Sequence, residues 1–314
     1  MSNNSEIVDV EKLLTNVDAF INTMHVVRTD FNLEPKKEHI GTCINFQDLK
    51  ELRTEFIEEL IYTVTNYVYS KNEQQGLVNK FMDEGRDPSG AYNKIRKKSV
   101  RKFRSKSKDG SSSHLQGQFS EILLFNLLQH YFKATPLVRK MPITTNPEIE
   151  RHGADAIHIG KDSNDNYILY IGEAKTYNRK KGGVKEALKD AVDDIINKHY
   201  SDHREELDLH VYEEHLPKEL QEIGEGYLNG TLTEIEVHLV CIVTYDNKNF
   251  KFASNRKEIL DGVINNIRED LEDVVRSKVF KSIPDYIKPR LNYIIFPVKD
   301  MNNLIELFAQ ELGG

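Results

Sequence analysis

Four residues, Glu121, Asp155, Glu173 and Lys175, carry side chains that could do chemistry together. Glu173-Ala174-Lys175 ends the apolar run YILYIGEAK (167–175). Period-2 alternation puts Glu173 and Lys175 on the face of Leu169 and Ile171. The preceding run, ADAIHIG (154–160), puts Asp155 on the face of Ile157 and Ile159, and the polar turn KDSNDN joins the two. A hairpin that pairs Ile157 with Ile171 and Ile159 with Leu169 sets Asp155 opposite Glu173, where Cβ atoms lie roughly 4.5–5.5 Å apart. A slip of one residue would send Glu173 to the other face. Two carboxylates that close repel unless a cation lies between them or one is protonated. Glu121 precedes Leu124, Phe125 and Leu128 at helical spacing, so it sits on an apolar stripe, where an unpaired carboxylate is expensive. Three acids aimed at one layer would form a hard-oxygen site suited to Mg²⁺ or Mn²⁺. A lysine beside it could orient or deprotonate a water, or stabilise charge developing on a phosphate. The competing reading is an ion-pair cluster in which Lys175 neutralises Asp155 and Glu173. Spacing alone decides nothing, since Glu34-Pro-Lys36, Asp48-Leu-Lys50 and Asp246-Asn-Lys248 share it.

These residues need elements to hold them. Ser113 followed by Gln116 is a capping-box pattern, which predicts a helix from about His114 to Tyr131. An irregular, proline-interrupted strand in PLVRKMPITT and the two strands of the hairpin follow. GGVKEALKDAVDDIINKHY is an amphipathic helix with Val184, Leu188, Ala191 and Ile195 on one face. After a polar segment to about Gly230 come the strands EVHLVCIVTY and LNYIIFPV, with helical stretches at 255–280 and 300–311. From residue 113 the order is α, β, β, β, α, β, α, β, α, an α/β layer structure. Residues 6–82 read mostly as helices, with a short strand near Gly41–Phe46, and DEGRDPSG (83–90) marks a boundary or long turn. The expected organisation is a mainly helical N-terminal region (1–90), a basic linker or strip (91–112) and an α/β domain (113–314). The apolar stripes of the N-terminal helices make residues 1–85 a candidate docking surface for a partner, with core packing as the plainer alternative.

Charge points to a polyanion. The 314-residue chain carries a net −7, yet the window 91–110 is +8, which leaves −15 elsewhere. Lys94, Arg96, Lys97, Lys98, Arg101, Lys102 and Arg104 in that window are candidate contacts to nucleic-acid phosphates, or else solvated linker charges. Arg179, Lys180 and Lys181 precede the amphipathic helix beside the proposed site and could hold a phosphate, or form an exposed loop. Lys185 and Lys189 on that helix are weaker candidates. His199, His203, His210 and His215 read as surface histidines. There is no P-loop and no glycine-rich dinucleotide motif, so no small-molecule cofactor is expected and any NTP-driven step belongs to another protein. No apolar run reaches the ~20 residues of a membrane span, and no secretory signal is legible in MSNNSEIVDVEKLL. Cys43 and Cys241 form no metal spacing or disulfide framework. The expectation is a cytoplasmic protein with reduced thiols.

A helical Glu, an Asp at a strand start, a Glu-x-Lys ending the next strand and a following helix together resemble the PD-(D/E)xK nuclease family. The segments GQFSEILLFNLL, RHGADAIHIG and YIGEAKT carry the resemblance over roughly 115–200. More narrowly, residues from about 90 to 314 resemble the HamA family, the nuclease subunits of Hachiman antiphage systems, which work with the helicase HamB. The resemblance implies a restriction-endonuclease-like core, a mixed central sheet flanked by helices. It implies Mg²⁺- or Mn²⁺-dependent hydrolysis of DNA phosphodiesters, with a helicase subunit that restrains or delivers the nuclease. Asp155 and Glu173 would be metal ligands, Glu121 a further ligand or water-holding acid, and Lys175 the catalytic lysine. Gly153-Ala154-Asp155 stands where Pro-Asp is nominal, which loses a rigid turn but keeps the carboxylate. A sequence-specific restriction endonuclease is the alternative within the enzyme class. A catalytically silent DNA- or partner-binding module is the alternative outside it.

Overall fold

The computed structural model describes residues 10–104, 112–138, 153–178, 183–211, 216–247, 254–277 and 279–313. Seven strands form one sheet: β1 (Met24–Thr29), β2 (His39–Ile44), β5 (Thr135–Val138), β6 (Ala156–Lys161), β7 (Tyr167–Tyr177), β8 (Ile235–Asp246) and β9 (Leu291–Val298). The two-residue strands β3 (Phe46–Gln47) and β4 (Lys50–Glu51) make a separate small hairpin. The sheet order is β1-β2-β9-β8-β7-β6-β5. Strands β2, β9, β8 and β7 run parallel, and β1, β6 and β5 join antiparallel at the edges. This is the mixed central sheet expected, flanked by helices on both faces.

Alternation along β7 sorts the two layers. Its even-numbered residues Ile168 and Tyr170 face a core built with α2 (Arg53–Tyr62), α3 (Val64–Val68), α4 (Lys71–Asp83), α5 (Pro88–Arg104), α6 (Ser112–Tyr131) and α11 (Met301–Gly313). Its odd-numbered residues Leu169 and Ile171 face a second core built with α7 (Gly183–Asp194), α8 (Tyr200–His210), α9 (Lys218–Leu228) and α10 (Arg256–Val275). Helix α6 crosses β7 closely: a Cβ added at Gly172 would lie 2.8 Å from Leu124 Cδ2. One turn earlier on α6, Ser120 Oγ meets Thr176 Oγ1.

Three expectations need correction. The N-terminal region is not a separate helical unit. Its strands β1 and β2 extend the central sheet, and Phe20, Met24, Phe56, Leu60 and Tyr67 share a core with Phe119, Phe296 and Phe308. Most of the described apolar stripe residues of α2–α4 pack into that core. The basic strip is not a linker as far as Arg104. Asp87 Oδ1 accepts the Gly90 N–H at 2.6 Å and Pro88 opens the first turn, so the apparent boundary DEGRDPSG contains a helix start. Ala91, Ile95, Ser99 and Phe103 then recur every four residues and are buried. Lys106 and Lys108 lie outside the described residues. The described part of the polar segment before Gly230 folds as α8 and α9, with Gly224 inside α9 and packed on Val211. No described helix is long and apolar enough to cross a membrane, and both cysteines are buried and unbridged.

Candidate active site at the end of β7

The hairpin has the register that brings the acids together. Ile157 pairs with Ile171 and Ile159 with Leu169, and the ladder runs to Ala156 opposite Gly172. Asp155 comes just before β6. Its N–H donates to the Gly172 carbonyl at 3.0 Å, and its Oδ2 accepts the Ala174 N–H at 2.9 Å. The Asp155 carboxylate therefore lies against the strand that carries Glu173, on the odd-numbered face.

Glu173 is only 3% exposed. Lys175 Nζ lies 2.6 Å from its Oε1 and 2.7 Å from Asp194 Oδ2, while Lys198 closes on Asp194 Oδ1. His199 Nε2 sits 3.0 Å from Glu173 Oε2, within ion-pair range. Burial first, and then the Asp155 charge, push the Glu173 carboxyl above the usual carboxylate range, against the pull of His199 and Lys175. Burial alone would lower Lys175, but Glu173 and Asp194 outweigh it and hold the ammonium above the usual lysine range. Burial would likewise raise Asp194, yet Lys175 and Lys198 hold it below.

Helix α7 and the turn after it are registered on β7 by three side-chain pairs in antiparallel order. Tyr177 Oη donates to Asp190, Lys175 to Asp194, and Glu173 faces His199. Between α7 and α8 the chain makes a π-turn, Ile195–His199. Such turns insert an extra residue into a helix and recur at functional sites. Here the turn carries His199 to Glu173.

Glu121 does not join the cluster. Helix α6 packs on the even-numbered face of β7, through Leu124 and Ser120, whereas Glu173 and Lys175 point to the odd face. Tyr67 Oη donates to Glu121 Oε2 at 2.8 Å, so the carboxylate is answered by a phenol packed on Phe103 and Phe125. Among the described residues no three His, Cys, Asp or Glu side chains are arranged to hold a metal ion. The expected three-acid site is a two-acid site here.

Two histidines expected at the surface are turned inward. His199 is not a surface histidine, its side chain being 11% exposed. It falls four residues after Ile195 and seven after Val192, which continues the apolar stripe and could have placed it inward. Asp194 gives no comparable signal. His203 is also buried, with Nδ1 on the Tyr200 carbonyl at 2.7 Å and Nε2 on Tyr227 Oη at 2.6 Å, which ties α8 to α9. Arg179, Lys180, Lys181 and His215 lie outside the described residues, as does the side chain of Arg104. Lys185 and Lys189 are exposed on α7.

The basic strip belongs to the other helical layer. On α5 several cations rest on rings: Lys94 on Phe81 at 4.1 Å, Arg96 on Tyr62 at 4.5 Å and Lys102 on Tyr69 at 4.8 Å. Lys94 also pairs with Glu84 at 2.9 Å. Lys97, Lys98 and Arg101 are exposed to solvent.

Compared with known families, residues 18–312 of the chain match HamA. No curated protein matches it.

Proposed function

The chain belongs to the HamA family, which is associated with Hachiman defence, and on that premise we propose that it hydrolyses DNA phosphodiester bonds with the help of a divalent cation, Mg²⁺ or Mn²⁺. One observation carries the reading: Asp155 and Glu173 share a face toward the carboxyl end of a parallel strand, with Lys175 against Glu173. In open α/β sheets, ligands gather outside the carboxyl ends of the strands. The donor set fits a hard cation. Glu173 is an almost fully buried carboxylate whose Oε2 faces the His199 ring, and a second acid lies beside it. Two carboxylates suffice, because Mg²⁺ is usually held by one or two of them, with waters and substrate phosphates completing the shell. Asp155 and Glu173 would hold the cation, which when bound supplies a water of lowered pKa and positive charge at the phosphate.

The chain's own groups do the rest. In the cation-free protein Glu173 and Asp194 hold the Lys175 ammonium, which suits it to hold water or meet negative charge developing on the phosphate. Asp194, itself clamped by Lys198, sets where that ammonium sits. Lys97, Lys98 and Arg101 would hold the nucleic-acid backbone on the other helical layer, away from the chemistry. A helicase subunit of the HamB type is the proposed partner. The absence of a P-loop from the sequence and the −15 charge outside the basic window both favour delivery over unassisted approach to DNA.

The test is incubation with supercoiled and linear DNA, in Mg²⁺, Mn²⁺ or EDTA, with and without a candidate helicase. Cleavage that EDTA stops supports the reading. DNA left intact in every arm, but still bound, would leave a silent binding module. A Lys97→Glu, Lys98→Glu, Arg101→Glu triple variant should weaken DNA binding while preserving the site. Its log–log salt slope should fall by about 0.9 per lost duplex phosphate contact, or about 0.7 on single strands. An unchanged slope would remove α5 from the DNA-binding surface.

A further inference from the structure

Asp155 enters its strand from a dipeptide that has no proline to stiffen it, and a helix on the far side of the π-turn supplies the missing constraint. The Ala154 N–H donates to Glu206 Oε2 at 2.9 Å, and Glu206 lies on α8. Gly153 has φ +143°, a conformation that only glycine adopts readily. A Cβ there would sit 2.6 Å from Glu206 Oε1 and 2.7 Å from Cδ, so the missing side chain is what lets the carboxylate approach. Ala154 itself is 1% exposed and packs in the same core as Leu207 of that helix. The next residue is Asp155, whose backbone and carboxylate are already bonded to Gly172 and Ala174. We propose that Glu206 is a positioning residue for Asp155. Its carboxylate pins the Gly153–Ala154 backbone and so fixes the angle at which Asp155 meets Glu173. One helical assembly, α7 through the π-turn to α8, then orders the whole site, with Asp194 on Lys175, His199 on Glu173 and Glu206 on the residue before Asp155.

The inference rests on the proposed nuclease reading for its consequence but not for its contact, and the experiment separates the two. Full-length wild type, Glu206→Ala and Glu206→Gln are compared in three measurements: amide hydrogen exchange over 153–156, affinity for Mn²⁺ alone, and steady-state DNA cleavage. Glu206→Ala should speed exchange at the Ala154 amide, weaken Mn²⁺ binding about tenfold and lower kcat about 10–100-fold, as loss of a group orienting a metal ligand does. Its DNA affinity should be unchanged. Glu206→Gln keeps an acceptor oxygen and should restore all three to within about threefold. Gly153→Ala, which forces a Cβ against the carboxylate, should reproduce the Glu206→Ala loss. Unaltered exchange and Mn²⁺ affinity in Glu206→Ala would overturn the proposal, and so would a Gln variant as impaired as Ala. If wild type neither binds Mn²⁺ nor cleaves DNA, the nuclease reading fails. Protection of the Ala154 amide from exchange, lost in the Ala variant and regained in the Gln variant, then decides the anchoring role alone.

Discussion

Lys175→Ala should lower cation-dependent DNA cleavage by on the order of 10²–10³-fold, the usual loss when one preorganised charge or donor is removed from a reaction centre. It should also destabilise the protein, which distinguishes it from the neighbouring carboxylate. Lys175 bridges Glu173 and Asp194 at 2.6 and 2.7 Å, and Glu173 is almost fully buried. Removing the ammonium leaves Asp155 and Glu173 facing each other with only His199 against Glu173. Breaking a fully buried pair costs about 3–5 kcal/mol and an exposed one about 0–1 kcal/mol. With side-chain exposures of 21% for Lys175 and 22% for Asp194, a loss of about 2 kcal/mol lies between these limits. Lys175→Arg should recover most of that stability, since a guanidinium also pairs with two carboxylates. The measurements are urea unfolding without divalent cation and cleavage of linear DNA in Mg²⁺. Stability lost with full cleavage retained would make Lys175 purely structural.

How far the sequence shows this site depends on what each pattern encodes. Period-2 alternation encodes the sheet face directly, so Asp155, Glu173 and Lys175 could be placed together and the hairpin register written down before any coordinates. The parallel strands β8 and β9, apolar through their centres, and the helix between them are equally plain. A helix stripe says only that a residue is turned toward a core, not which face of the sheet the helix covers. Glu121 therefore shares a stripe pattern with the site acids while its helix covers the opposite face of the sheet. Strand β1 is hidden because MHVVRT alternates weakly at a sheet edge, whereas β2 is legible in part, as the short strand near Gly41–Phe46, although HIGTCI is buried throughout and follows a charged stretch with Pro35. Asp194 and Glu206 are hidden for a third reason. Their roles depend on a π-turn and on one backbone N–H, and neither leaves a spacing to read.

Glu173→Gln should separate the metal-site reading from an ion-pair cluster most sharply, because it removes charge with little change of shape. In the cation-free protein the Glu173 carboxyl is raised by burial and by Asp155. The folded state therefore holds this proton more tightly than the unfolded chain does. The contribution of Glu173 is fully present below the ordinary glutamate pKa and is lost as pH rises through the raised value. Wild type should thus lose stability through that window, and the Gln variant should not. Mn²⁺ reverses the sign for wild type only. A cation must displace the proton, so its affinity should tighten as pH rises through the same window. At 100-fold excess over its Kd it should return about 2.7 kcal/mol of stability. Glu173→Gln should show neither the pH-dependent tightening nor the stabilisation by Mn²⁺, and its cleavage should fall by on the order of 10²–10³-fold. Calorimetric titration with Mn²⁺ and thermal unfolding across the pH range read both effects. If Mn²⁺ stabilises the Gln variant as much as wild type, the cation binds elsewhere, and the cluster of Glu173, Lys175, Asp194 and His199 is a structural clasp between β7 and the helix that covers it.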